Sequence, residues 1–169
     1  MIRWWTEAYG DPCAGCGFNW TISAGEAKAS VAAAPARYRM LIAGRDGSQR
    51  HPELGWSAKG YVFHVADNLG IWTERVAGVL AGAGGSMAGY DQDALAEARG
   101  YEAMPVESGL WSLERAVGEW VRVLTLAANS GVVLSHPRGG QLLTADIVVG
   151  NCHDVIHHAW DIERSVQDS

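Results

Sequence analysis

Apolar residues return every three or four positions along much of this chain, a spacing that gathers them on one face of a helix. The cleanest run is Tyr61, Val65, Leu69, Trp72, Val76 and Leu80, which predicts a helix over about 58–81 with Ser57 as its cap. Leu110, Leu113, Val117, Trp120, Val121 and Leu124 predict another over about 107–129. Ile147, Val148, Val155, Ile156, Ala159 and Ile162 predict a last one over about 144–165. Upstream, Ser23-Ala24-Gly25-Glu26 has the form of a capping box, and the Ala-rich stretch to about Ile42 favours helix. Pro35 lies inside that stretch and predicts a kink or a split.

Breakers punctuate the pattern. Gly82, Gly84 and Gly85 open a long Gly-rich connection over 82–105, within which 93–100 has the makings of a short helix. Gly131, Pro137, Gly139 and Gly140 mark 130–140 as the next connection. No segment alternates convincingly as a strand does. Residues 1–22 lack a helical period and read as an irregular N-terminal segment. The expectation is an all-α protein: a four-helix bundle over 23–169 behind that segment. The connections after the second and third helices are long enough for non-consecutive helices to become neighbours.

Composition narrows the class. The chain has 169 residues, 48% of them hydrophobic and 19% charged, enough for one domain with a full core. A net charge of −6 with no basic stripe argues against a nucleic-acid partner. No apolar run approaches the roughly 18 residues of a membrane span, and the first residues do not form an apolar signal core, so the expected location is cytoplasmic. Three cysteines, an odd count, do not make a disulfide framework. Eight tryptophans suit a large core, and the Trp-rich helix faces suggest a small, partly hydrophobic substrate.

The candidate chemistry lies in Cys152-His153-Asp154-Val155-Ile156-His157-His158-Ala159-Trp160-Asp161, which holds three of the six histidines. His153 and His157 are four apart, so both imidazoles lie on one flank of the apolar stripe and form a natural chelate. His158 falls on the opposite flank, and projection alone does not exclude it. His64 flanks the stripe of the second helix near Asn68 and Trp72. Three histidines from two helices would leave coordination positions open, as in catalytic rather than structural metal sites. Asp67 and Asp161, each about one turn from a candidate ligand, could orient an imidazole. The competing reading is a bundle of hydrogen-bonded core histidines with no metal. Cys13-x-x-Cys16 is half a zinc ribbon, a redox pair or two free thiols, and no second cysteine pair exists to complete a ribbon. Cys152 projects toward the core as a buried thiol.

Four segments in order resemble the DinB/YfiT-like superfamily. Trp56-Ser57-Ala58-Lys59-Gly60-Tyr61-Val62-Phe63-His64 is similar to its second helix, and Tyr90-Asp91-Gln92-Asp93-Ala94 with Tyr101 resembles a loop of actinobacterial-type members. The His-rich segment from Cys152 resembles the last-helix motif, and Cys13-Ala14-Gly15-Cys16-Gly17-Phe18 an N-terminal one. The resemblance implies a four-helix bundle with a three-histidine metal site at His64, His153 and His157. In some relatives the second residue of the His-His doublet binds the metal, which leaves His157 against His158 open. It further implies a divalent ion (zinc first, with nickel and iron as alternatives) and a homodimer. The implied activity is that of an S-transferase or isomerase using mycothiol or bacillithiol. A metal- or ligand-binding stress protein without catalysis is the alternative reading.

Overall fold

The computed structural model describes residues 3–167. Helix α1 spans Arg3–Tyr9, α2 spans Ala24–Ala32 and α3 spans Ala34–Ile42. Long helix α4 spans Ala58–Leu80, short α5 spans Gln92–Arg99, and a 3-10 turn covers Tyr101–Ala103. Helix α6 spans Val106–Ala127. Strands β1 (Val133–His136) and β2 (Gly140–Leu143) form an antiparallel hairpin that leads into α7, Thr144–Gln167.

Local signals set most of these boundaries. The Ser23–Glu26 capping box closes reciprocally: Ser23 Oγ accepts from the Glu26 N–H, and the Glu26 carboxylate accepts from the Ser23 N–H. Pro35 sits in the first turn of α3, where its missing N–H costs nothing, so the Ala-rich stretch divides into α2 and α3. Ser57 Oγ caps α4 by accepting from Gly60 N–H. Asp91 caps α5, which ends on Gly100 at φ 63°, a left-handed conformation that suits glycine.

The four columns of the bundle are α2–α3, α4, α6 and α7. Helix α4 packs along α6 and also against α7, while α2–α3 packs against α7 and α6. The first and second columns therefore stand at opposite corners, as do the third and fourth, while α4 and α6 are neighbours. Trp120, Tyr38, Leu69, Leu113, Ile147 and Ile162 fill the centre with almost no exposed surface. Its polar atoms are paired: Trp120 Nε1–H donates to Asn151 Oδ1 at 2.8 Å, and the Tyr38 hydroxyl donates to the Val155 carbonyl at 2.8 Å. No helix among the described residues is long and apolar enough to cross a membrane.

Two connections hold more regular structure than their sequences suggest. Residues 1–22, expected to be irregular, include α1. Its seven residues are too few to display a period, and burial stabilises them. Trp4 and Trp5 stack at 4.5 Å, and Trp5 lies against Gly150 of α7. Within 130–140, expected to be a plain connection, the hairpin begins. Each strand has four residues and buries a single leucine, Leu134 or Leu142, so the alternation is too short to register.

Candidate metal centre

Helix α7 carries two interleaved pairs at four-residue spacing, His153 with His157 and Asp154 with His158. The pairs are offset by one residue, about 100° around the helix. They therefore face different neighbours, and each pair heads its own cluster.

The first cluster joins α7 to α4. His64, Asp154 and His158 each offer a ligand atom, and these atoms lie within 4.8 Å of one another. Asp154 Oδ1 stands 3.8 Å from His64 Nε2 and 3.5 Å from His158 Nε2. Nitrogen and oxygen ligands about 2.1 Å from a shared tetrahedral ion lie about 3.4 Å apart, so this spacing fits a common metal. The surroundings hold the donors in place. Asn68 Nδ2 donates to the other carboxylate oxygen of Asp154 at 2.7 Å, and the Tyr90 hydroxyl donates to Asn68 Oδ1 at 3.2 Å. His158 Nδ1 lies 2.9 Å from Asp161 Oδ2, a bond that leaves Nε2 for a ligand. Burial pushes the Asp154 carboxyl up, but His158 and His64 outweigh it and hold it well below the usual carboxylate range. Burial alone would lower His158, yet Asp154 and Asp161 push it up to about 9.

The second cluster joins α7 to the N-terminal segment. Cys13, Cys16, His153 and His157 also offer ligand atoms within 4.8 Å of one another. Both thiols are free. His153 is packed among the rings of Tyr9, Phe18 and Trp20, at centroid distances of 4.7, 5.4 and 4.4 Å. Burial lowers its pKa to about 4, so the ring is neutral at physiological pH.

A cavity of about 720 Å³ opens beside the first cluster, a volume in the range of small-molecule sites. His64, Asn68 and Asp154 line one side, Trp4, Trp5, Tyr9 and Trp72 supply apolar walls, and Arg75, Arg138 and His136 add polar groups. Tyr90, Asp91 and Gln92 of the Gly-rich connection border it. The Arg75 guanidinium lies 5.1 Å from the Trp72 ring and 5.8 Å from the Tyr90 ring.

The structure thus places the histidines named from sequence in two groups: His64 stands with Asp154 and His158, whereas His153 and His157 stand with the cysteines. Asp154 is the residue that sequence reasoning passed over as a ligand. Its signal was present, because Asp154 and His158 share the four-residue spacing already noticed for His153 and His157. Asp161 does contact His158. Asp67 does not serve His64; its carboxylate accepts from Arg99 and from the Tyr101 hydroxyl at 2.6 Å, tying α5 and the 3-10 turn to α4. Asp91 both caps α5 and borders the cavity. Cys152 is fully buried, and burial raises its thiol to about 11.

Neither a protein-family model nor a curated protein sequence matches the chain. Among solved structures it is similar to YfiT from Bacillus subtilis, with a TM-score of 0.73 over 86% of this chain and 87% of that one, at 17% identity. YfiT is described as a probable metal-dependent hydrolase with an unusual four-helix bundle topology. The fold is therefore a four-helix bundle like that of YfiT, the fold that the four sequence motifs led one to expect.

Proposed function

We propose that this protein is a divalent-metal-dependent enzyme whose metal is held by His64, Asp154 and His158 at the wall of the aromatic cavity. The observation that carries the reading is the convergence of one carboxylate between two imidazoles beside a cavity large enough for a substrate. Three protein donors leave coordination positions open, which is the pattern of catalytic sites. The metal-dependent activity ascribed to YfiT supports the same direction. A bound divalent ion would lower the pKa of a coordinated water or thiol and so supply a nucleophile at neutral pH.

The protein's own groups do the rest. Asp161 keeps Nδ1 of His158 engaged, and Asn68 orients Asp154 so that one oxygen faces the two imidazoles. Trp4, Trp5 and Trp72 exclude water and receive an apolar body, while Arg75 and Arg138 offer charge for an anionic group on the substrate. The motif resemblance supports a small thiol, mycothiol or bacillithiol, as the nucleophile of an S-transferase or isomerase. Zinc suits a thiolate ligand well, with nickel and iron as the other candidates.

The test is turnover by protein loaded separately with zinc, nickel or iron, offered a small thiol with an electrophile, and in parallel an ester or amide for hydrolysis. Activity with one metal that disappears in His64→Ala and Asp154→Ala but survives Cys13→Ser is the expected result. Turnover indifferent to His64→Ala and Asp154→Ala would remove the reading. Thiol consumption against ester cleavage decides between transferase and hydrolase chemistry.

A further inference from the structure

The second cluster has no part in that reading, yet it has the makings of a site. The chain from Cys13 to Phe18 forms a tight knuckle: Gly17 N–H donates to the Cys13 carbonyl at 2.9 Å, and Cys13 N–H donates to the Phe18 carbonyl at 3.0 Å. Gly17 takes φ 72°, which turns the chain back after Cys16. The knuckle is pressed onto α7 at Gly15, where an added Cβ would lie 3.0 Å from His157 Cε1 and 3.1 Å from Trp160 Cζ3.

Three observations point to an ion between these groups. The Cys13 sulfur stands 3.6 Å from His157 Nδ1. Zinc–sulfur and zinc–nitrogen bonds of about 2.3 and 2.05 Å at the tetrahedral angle place the two ligand atoms about 3.6 Å apart. All four candidate ligand atoms lie within 4.8 Å of one another, close enough to share one ion. His153 Nε2 is buried and has no hydrogen-bond partner among the described residues, an unusual state for an imidazole nitrogen.

We propose that Cys13, Cys16, His153 and His157 form a second, closed zinc site that clamps the N-terminal knuckle onto α7. Two thiolates and two histidines make a complete tetrahedral set with no position left for substrate, so this site is structural where the His64 group is open. Two thiolates balance the charge of one zinc ion, and the two thiol protons pass to solvent as the metal binds. Thiolate ligands select zinc over harder ions. Tyr9 and His153 both border the cavity, so the clamp also fixes one of its walls.

The experiment uses the full chain, expressed without a metal-binding tag and purified under reducing conditions. Zinc content and zinc-edge X-ray absorption are measured for wild type, for His64→Ala/Asp154→Ala and for Cys13→Ser/Cys16→Ser. Alkylation of Cys13 and Cys16 is followed by mass spectrometry before and after a chelator. The proposal expects sulfur scatterers about 2.3 Å from zinc in wild type and in the His64/Asp154 variant, and their loss in the cysteine variant. It expects the two thiols to resist alkylation until the chelator is added. Zinc with no sulfur neighbour, alkylation indifferent to zinc, or a Cys13–Cys16 disulfide in the reduced preparation would each overturn it. The wild-type measurements decide the matter even if the cysteine variant does not fold. Loss of turnover in the His64/Asp154 variant is a separate result, so this site and the proposed active site stand or fall independently.

Discussion

Replacing Gly150 with alanine tests the packing that roofs the cavity. In most helix interiors Gly→Ala stabilises by up to about 1 kcal/mol, because alanine has less backbone freedom to lose. At Gly150 the added Cβ would stand 2.4 Å from Trp5 Cζ2 and 2.5 Å from Cη2. Carbon atoms normally rest about 3.5–4.0 Å apart, so the indole must retreat by about 1 Å. Its retreat is restricted: Trp5 is 6% exposed, its ring stacks on Trp4, and Trp4 stacks on His136 of the hairpin at 4.8 Å, so moving toward the cavity disrupts that stack. Overpacking of this kind costs about 1–3 kcal/mol, which offsets or exceeds the propensity gain and leaves a net loss of about 0–2 kcal/mol. For a chain of this size that is a fall in Tm of up to about 8 °C. Gly118→Ala is the matched control. Gly118 is exposed in the middle of α6 with no atom within 4 Å of its virtual Cβ, so the propensity term acts alone and Tm should rise by about 2–4 °C. Differential scanning calorimetry with near-UV circular dichroism reads both variants. Gly150→Ala as stabilising as Gly118→Ala, with the tryptophan spectrum unchanged, would refute the docking of α1 on α7.

Asp161→Asn removes the carboxylate that engages His158 Nδ1, so metal affinity at the His64 cluster should weaken about 10–100-fold. Competition with a metal chelator measures it, and an unchanged affinity would contradict that bracing. Tyr101→Phe deletes the bond from the hydroxyl to the Asp67 carboxylate, at a cost of about 1.5–3 kcal/mol in urea unfolding. A change within error would show that this contact is dispensable. Asn151→Ala leaves Trp120 Nε1–H buried without its acceptor and should cost about 1–3 kcal/mol by the same assay, with an unchanged midpoint counting against it. Burial, reinforced by Arg75 and Arg138, holds His136 below its ordinary 6.5. Its contribution to stability is therefore full above pH 6.5 and is lost as pH falls from there through the folded pKa. A proton-NMR titration of His136 with its midpoint at or above 6.5 would reverse that sign.

The long helices were legible because each satisfies a local rule. The stripe from Tyr61 to Val76 needs one buried face, Ser57 and Ser23 need only their own backbone to cap, and Pro35 breaks the helix wherever that helix is placed. Helix α1 obeys no such rule. It is held by Trp4 and Trp5 against glycines of the hairpin and α7, and nothing within its seven residues says that these partners will arrive. The hairpin is alike in this, since its two buried leucines acquire meaning only through the core beneath them.

The site was half legible for a related reason. A single sequence shows that His153 and His157 share a face of α7, and that Asp154 and His158 share another. It does not show which face meets α4 and which meets the N-terminal segment, because α4 and the knuckle are placed by tertiary packing. Once both are in place, the one-residue offset between the pairs becomes a division of labour. One face meets His64, and the other meets two thiols and the rings of Tyr9, Phe18 and Trp20, with His153 and Tyr9 still bordering the cavity. Asp161 lies one turn beyond both pairs and engages His158, 2.9 Å from its Nδ1, while His157 Nε2 stays 3.9 Å away. A single helix can in this way present one set of candidate ligands to α4 and another to its own N-terminal segment.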